Sequence, residues 1–103
     1  MYVSKYFNLG NVVVTNAIHE AMKESRRFTI EIRLSLQRYC IRDWGNLISE
    51  DDKKANDEAL KYPDDLYILA AYQTCRGKVN IITNRISENL GDNSTTVCFP
   101  DER

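Results

Sequence analysis

Four side chains in this sequence could bind a metal ion or act as a nucleophile. They are three cysteines and the single histidine, Cys40, Cys75, Cys98 and His19. Thiolate and imidazole are ligands that zinc prefers, but structural zinc sites usually draw two ligands from one closely spaced pair. No closely spaced pair occurs among these four residues, so we expect no bound metal and no other cofactor.

Nucleophilic or acid–base catalysis receives little support from the residue types. His19 falls on an amphipathic helical segment, where a histidine is usually a surface or half-buried residue. A Cys–His pair would need both side chains to be adjacent in the fold, which spacing does not establish. Gly77 is the only glycine-centred candidate for phosphate binding, and it matches neither a P-loop nor a dinucleotide motif. We therefore expect a protein that is not an enzyme.

The composition predicts one domain, residues 1–103, in a reducing cytosol. Hydrophobic residues make up 43% of the chain and charged residues 28%, which suits a modest core inside a polar surface. An odd number of widely spaced cysteines favours free thiols over disulfides. The chain has no signal-peptide pattern and no apolar run of membrane-spanning length. Its formal net charge of -1 produces no global field that would attract nucleic acid or a membrane.

The apolar patterns predict an α+β fold with an N-terminal strand and about three helices packed on a three- to four-stranded antiparallel sheet. The β-branched run 11–14 predicts the first strand, and Thr15 or Asn16 can cap the helix that follows. The second half predicts a meander whose first hairpin turns at Arg76-Gly77. Its strands are expected at 66–72, 78–83 and 94–99, with a loop at 88–93.

The segment from residue 28 to residue 40 fits two periods. Its first apolar residues alternate as in a strand, but Phe28, Ile32 and Leu36 also recur at helical spacing. The length of the pattern and its Glu, Arg and Gln residues favour a helix. A helix would carry a second apolar strip on its opposite side, formed by Ile30, Leu34 and Ile41.

Arginines border this second strip, with Arg26 and Arg33 on one edge and Arg27 and Arg38 on the other. An apolar centre with an arginine rim is typical of a protein interface. We therefore predict that the strip, with Arg26, Arg33 and Arg38, contacts a partner or a second copy of the chain. Two alternatives remain open. Another helix could cover the strip, or the arginines could bind nucleic-acid phosphates.

A dense acidic stretch follows the only tryptophan. Ser49 and three acids, Glu50, Asp51 and Asp52, are typical of a helix N-terminus, and this helix must stop before Pro63. The acids could contact a basic partner by imitating phosphates, or they could simply be solvated. The preceding Asp-Trp-Gly at 43–45 is interpreted as a joint, with a buried tryptophan and a turn glycine. Direct contact with a partner is the alternative for it.

Five stretches follow one another along most of the chain: "DWGNL", "DDKKANDEALK", "AAY", "GKVNIIT" and "STTVCFPDE". In these stretches and their order, the sequence resembles a family of small proteins carried by bacterial plasmids, phages and integrative elements, from which its location in a bacterial host cytosol is also expected. It departs from the family pattern at "PDDLYIL", at Asn84 and in a longer loop at 85–93. The resemblance implies a stoichiometric protein-binding role, namely inhibition of a host defence complex. An anti-CRISPR protein that binds a Cas effector is the leading expectation.

Overall fold

The computed structural model describes residues 4–61, 67–84 and 93–102 and contains three helices and a four-stranded sheet. The helices are α1 (Asn16–Glu24), α2 (Arg26–Cys40) and α3 (Glu50–Ala59). The strands are β1 (Asn11–Val14), β2 (Tyr67–Thr74), β3 (Gly77–Asn84) and β4 (Ser94–Cys98), and a 3-10 turn spans Pro100–Glu102. The predicted α+β class is confirmed. The predicted loop at 88–93 lies outside the described residues except for Asn93. Among the described helices, none is both long and apolar enough to cross a membrane.

The four strands lie in the order β1-β4-β3-β2. β2, β3 and β4 form the predicted antiparallel meander, and the first hairpin turns through Cys75 and Arg76 into Gly77, whose φ is +97°. β1 pairs with β4 in parallel, so the sheet is mixed rather than wholly antiparallel. The reason is topological. Only hairpin connections impose antiparallel pairing, whereas three helices and two strands separate β1 from β4 along the chain.

Residues 26–40 form the helix that their longer period predicted, and the strand interpretation is excluded. The Ser25 hydroxyl caps α2 by accepting the Phe28 backbone N–H at 3.1 Å. Phe28, Ile32 and Leu36 are all at most 3% exposed and join one core with the inward side chains of the sheet. Burying each of these large apolar side chains stabilises the fold by about 1.5–3 kcal/mol. The first apolar face therefore docks α2, as its spacing predicted.

A chain of buried hydroxyl groups crosses this core, and no sequence pattern indicated it. The Tyr39 and Thr83 oxygens lie 2.7 Å apart, and the Thr83 and Thr95 oxygens are also 2.7 Å apart. Thr95 donates to the Leu9 carbonyl at 2.8 Å, and Tyr39 contacts the Ile68 carbonyl at 3.2 Å. Three hydroxyl hydrogens serve these four contacts, so one hydrogen is shared between two acceptors. The chain ties α2, the sheet and the N-terminal segment together in a region where unpaired polar groups would be costly.

The C-terminus of α2 is a Schellman motif with an arginine in the position usually held by glycine. The Asp43 N–H donates to the Arg38 carbonyl at 2.9 Å, and the Arg42 N–H donates to the Tyr39 carbonyl at 3.2 Å. Arg42 has a φ of +65°, which costs a non-glycine residue about 1–2 kcal/mol. Its guanidinium lies 4.1 Å from the centroid of the Tyr6 ring and thereby holds the N-terminal segment against the end of α2.

Candidate interaction surface

The second apolar strip of α2 is exposed in the monomer. Ile30, Leu34 and Ile41 are 47%, 52% and 66% exposed, which places them among the most exposed large hydrophobic residues of the described chain. Neither α1 nor α3 covers them, so the alternative that the strip belongs to the core is wrong. Ile30 and Leu34 share one face of the helix, and Ile41 follows at its C-cap. Exposed apolar side chains that recur along one helix face are typical of an interaction site.

Two of the predicted arginines remain available beside the strip. Arg26 and Arg33 are exposed, and neither forms an ion pair with any residue that the structure describes. Arg27, on the other edge, lies 3.9 Å from the Glu31 carboxylate, which is a weak surface pairing. Free guanidinium groups around apolar side chains suit a partner surface that presents carboxylates.

Arg38 departs from this pattern because its guanidinium is already bound. Its Nε lies 2.8 Å from Asp43 Oδ2, and a second guanidinium nitrogen lies 3.2 Å from Oδ1. The same group stacks on the Tyr72 ring at 5.0 Å. Arg38 therefore clamps the chain just after α2, and a contact between it and a partner stays a prediction. The spacing that placed Arg38 near the strip could not reveal that a carboxylate five residues later would bind it.

The ion pair between Arg38 and Asp43, which forms this clamp, shifts the pKa values of both side chains. The hydrogen bonds from Arg38 hold the pKa of Asp43 below its ordinary value, and the same bonds raise the pKa of Arg38. Asp43 also accepts the Gly45 backbone N–H at 3.2 Å, which lowers its pKa further. Burial raises the pKa of Tyr72, whose hydroxyl donates to the Asp43 carbonyl at 2.7 Å. The carboxylate form of Asp43 is thus the one that the fold favours.

Replacing Asp43 by asparagine should reduce the acid sensitivity of the protein. Because the folded-state pKa of Asp43 is depressed, its contribution to stability is present above about pH 4 and is lost as the pH falls through the lower folded value. Urea unfolding at pH 6 and pH 3 should show a smaller loss of stability for Asp43→Asn than for the wild type. The loss of stability between pH 6 and pH 3 should differ between the two proteins by no more than about 1 kcal/mol, because Arg38 and Asp43 are both partly exposed.

Asp101→Asn supplies the control for this comparison. Asp101 is exposed and has no hydrogen bond or ion pair with the described residues, so its substitution should leave the pH dependence unchanged. Equal flattening by both substitutions would show that general charge, and not the clamp, determines the acid response.

The Asp-Trp-Gly segment is a structural joint, as its residue types predicted. Trp44 is 3% exposed and packs against Tyr39 and Phe7, with ring centroids 5.5 and 6.2 Å away. Its indole Nε1 donates to the Asp57 carboxylate of α3 at 3.1 Å. Trp44 therefore connects the core under α2 to α3, and its burial leaves no surface for a direct partner contact.

The same joint covers the outer edge of β2. The Ala71 N–H donates to the Trp44 carbonyl at 3.3 Å, and the Asn56 side chain both donates to and accepts from the backbone of Leu69, at 2.6 and 3.2 Å. Gly45 lies against Ala71 so closely that a Cβ on it would be 2.1 Å from the Ala71 oxygen. The backbone groups of Leu69 and the Ala71 N–H are thereby occupied, so the middle of this edge is closed to an added strand.

The predicted acidic helix start is confirmed. The Ser49 hydroxyl accepts the Asp52 N–H at 3.0 Å, and Glu50 forms an ion pair with Lys53 at 3.2 Å. Glu50, Asp51 and Asp52 are all exposed on α3, which packs against β2, whereas the apolar strip lies on α2. The acids are explained by the N-terminal dipole of α3, and a contact between them and a partner stays a prediction.

The cysteines do not converge. Cys40 belongs to the core on the α2 side of the sheet, whereas Cys98 alternates with the inward Val97 and so faces the other side. Cys75 is exposed at the hairpin turn, and His19 is exposed on α1. Within the described ranges, no group of three metal-binding side chains is close enough to hold an ion.

The surroundings of two of the thiols, Cys40 and Cys75, raise their pKa values. A hydrogen bond to the Glu31 carboxylate raises the pKa of Cys75, and burial raises the pKa of Cys40. Since the thiolate is the reactive form, both environments disfavour thiol chemistry at neutral pH. Glu31 instead has a structural part, because its carboxylate accepts the Cys75 backbone N–H at 3.0 Å and ties the hairpin turn to α2.

The chain was compared with protein-family models, curated proteins and solved structures, and none of the three comparisons found a match.

Proposed function

We propose that this protein acts by stoichiometric binding to another protein and that the strip of Ile30, Leu34 and Ile41 is the centre of the contact. The observation that carries the proposal is the exposure of all three side chains on a helix that is already docked by its opposite face. Arg26 and Arg33 supply a rim of free positive charge. An apolar centre that loses its water on binding, surrounded by charged side chains, is characteristic of interface hot spots.

The target class that we propose is a host defence complex, and specifically a Cas effector nuclease. This part of the proposal rests on the resemblance to small proteins of mobile elements and not on the geometry. The geometry supports a binding role in general, because an apolar surface is left uncovered on a helix that is already docked by its opposite face. An inhibitor needs only such a surface, because it acts by occupying a site on its target.

Leu34→Asp is the decisive variant for the binding surface. Leu34 is half exposed, so the new carboxylate stays solvated and the melting temperature should change little. At an interface centre the same carboxylate would be buried without a partner, and affinity should fall at least about 30-fold, the effect of losing a hot spot. The measurements are thermal unfolding and, in cells with an active CRISPR system, the recovery of transformation by a targeted plasmid.

Two matched variants control this experiment. Leu36→Asp places the same charge two residues away at a buried position and should unfold the domain. Ala17→Asp adds the same charge at an exposed position of α1 and should leave both folding and inhibition intact. Full inhibition by folded Leu34→Asp would contradict the proposed surface. No recovery of the targeted plasmid with the wild type would contradict the proposed target.

The two other functions considered from the sequence make different predictions. A nucleic-acid-binding regulator should shift duplex or single-stranded probes in a gel at low salt. Its affinity for the probe should fall steeply as the salt concentration rises, and Arg26→Ala and Arg33→Ala should each lower it. A dimerising structural protein should sediment as a dimer that Leu34→Asp converts to a monomer. Either result in the absence of any protein target would replace the proposed function.

A further inference from the structure

A large apolar groove lies beside β1, on the side of the molecule away from the closed edge of β2. Its cavity volume is about 990 Å³. β1, α1, α2 and the N-terminal segment 4–10 all contribute to its walls. The apolar part of the wall consists mainly of Val12, Val14, Met22, Ile32 and Leu36. A groove of this size is sufficient for several side chains of a bound molecule.

β1 presents unpaired backbone groups at this end of the sheet. The Asn11 N–H donates to the Asn93 carbonyl and the Thr15 N–H to the Val97 carbonyl, both at 3.1 Å. In a parallel ladder alternate residues of one strand bond to its neighbour, so the N–H and C=O groups of Val12 and Val14 point outward. Neither residue has a backbone hydrogen-bond partner on that side among the described residues. Two donors and two acceptors are thus available to an added strand.

The charge around the groove selects the kind of strand. Lys5 and Arg33 line it, and no aspartate or glutamate is among the residues that form its described wall. Neither Arg33 nor Lys5 forms an ion pair with a described residue, and the Lys5 Nζ lies 5.4 Å from the centroid of the Tyr6 ring. A second copy of the chain is a poor occupant, because pairing β1 with β1 would bring the same cations together. An acidic segment would be attracted instead.

We propose that β1 and this groove bind an extended acidic segment of a partner protein, which adds to the sheet as a fifth strand. The main chain of the segment bonds to Val12 and Val14. Every second side chain enters the apolar groove, and an aspartate or glutamate meets Lys5 or Arg33. This mode of recognition takes affinity from backbone hydrogen bonds and specificity from alternate side chains. It is independent of the strip on α2, although Arg33 borders both surfaces.

The test is selection of a displayed library of random 12-residue peptides against the folded protein. Selected peptides should alternate apolar residues and carry Asp or Glu. They should bind Val12→Pro at least about tenfold more weakly than Val12→Thr, because only proline removes the outward N–H and edge strands accept proline. Lys5→Glu should lower the affinity for these peptides by a similar factor. Leu34→Asp should leave the affinity unchanged, which separates this surface from the strip.

Hydrogen exchange of the wild type gives a readout that needs no substitution. In the free protein the amides of Val12 and Val14 should exchange quickly and those of Asn11 and Thr15 slowly, because only the latter two are bonded to β4. A selected peptide should slow Val12 and Val14 alone. The proposal is overturned if no peptide is enriched, if the enriched peptides are basic, if they bind Val12→Pro as well as Val12→Thr, or if the two amides stay unprotected.

Discussion

Gly45→Ala should lower the free energy of unfolding by about 3 kcal/mol and can prevent folding at 37 °C. Two effects combine at this position. The φ of +83° is unfavourable for any residue with a Cβ by about 1–2 kcal/mol. In addition, the new Cβ would lie 2.1 Å from the Ala71 carbonyl oxygen and 3.2 Å from a Tyr72 ring carbon, so the joint must move away from β2. Urea unfolding followed by far-UV circular dichroism measures the loss.

Gly77→Ala is the matched control for that prediction. Gly77 also has a positive φ, +97°, but a Cβ built on it meets nothing within 4 Å. This substitution should therefore lower the free energy of unfolding only by the cost of the positive φ, about 1–2 kcal/mol. The difference between the two variants measures the close approach of the joint to β2. Equal losses would mean that the joint can retreat without cost.

Trp44→Ala should destabilise the protein by about 3–5 kcal/mol, the cost of removing a large buried aromatic side chain. The indole is nearly inaccessible, contacts the rings of Tyr39 and Phe7, and carries the hydrogen bond to Asp57. Its loss leaves a cavity between α2 and α3. Circular dichroism is the appropriate measurement, since Trp44 is the only tryptophan and tryptophan fluorescence disappears with it.

Trp44→Phe separates packing from the hydrogen bond. Phenylalanine keeps most of the ring contacts but cannot donate to Asp57, whose exposed carboxylate can be solvated by water instead. We expect a loss of about 1–2 kcal/mol, clearly smaller than for alanine. If phenylalanine proved as damaging as alanine, the hydrogen bond to α3 would be the main contribution of this residue.

The features that the sequence predicted correctly are governed by neighbours along the chain. The period of residues 28–40 identified α2 and its docking face, and the serine before the acidic run identified the start of α3. The same period also placed Ile30 and Leu34 on the side of α2 opposite the docking face, but only the structure shows that no other helix covers them. Helical spacing and capping act within a turn or two, so a single sequence contains the necessary information.

The features that were missed depend on residues that are distant along the chain. The parallel pairing of β1 with β4 joins the two ends of the sequence, and the hydroxyl chain from Tyr39 to Thr95 joins α2 to two strands. The binding of Arg38 by Asp43 required the Schellman turn that brings the two together. The groove beside β1 likewise exists only because an edge strand lies near α2, and no spacing rule predicts which strand ends a sheet.

The parallel pairing of β1 and β4 also determines when the domain can be completed during synthesis. β1 leaves the ribosome about 80 residues before β4, its neighbour in the sheet. At a translation rate of about 5–20 residues per second, the nascent chain carries an unpaired β1 for roughly 4–16 seconds. Helices α1 to α3 and the β2–β3 hairpin can form in that interval, but the groove beside β1 reaches its final arrangement only after β4 has been made. A chain that stops before Ser94 would lack the strand that joins β1 to the rest of the sheet and would be exposed to proteolysis.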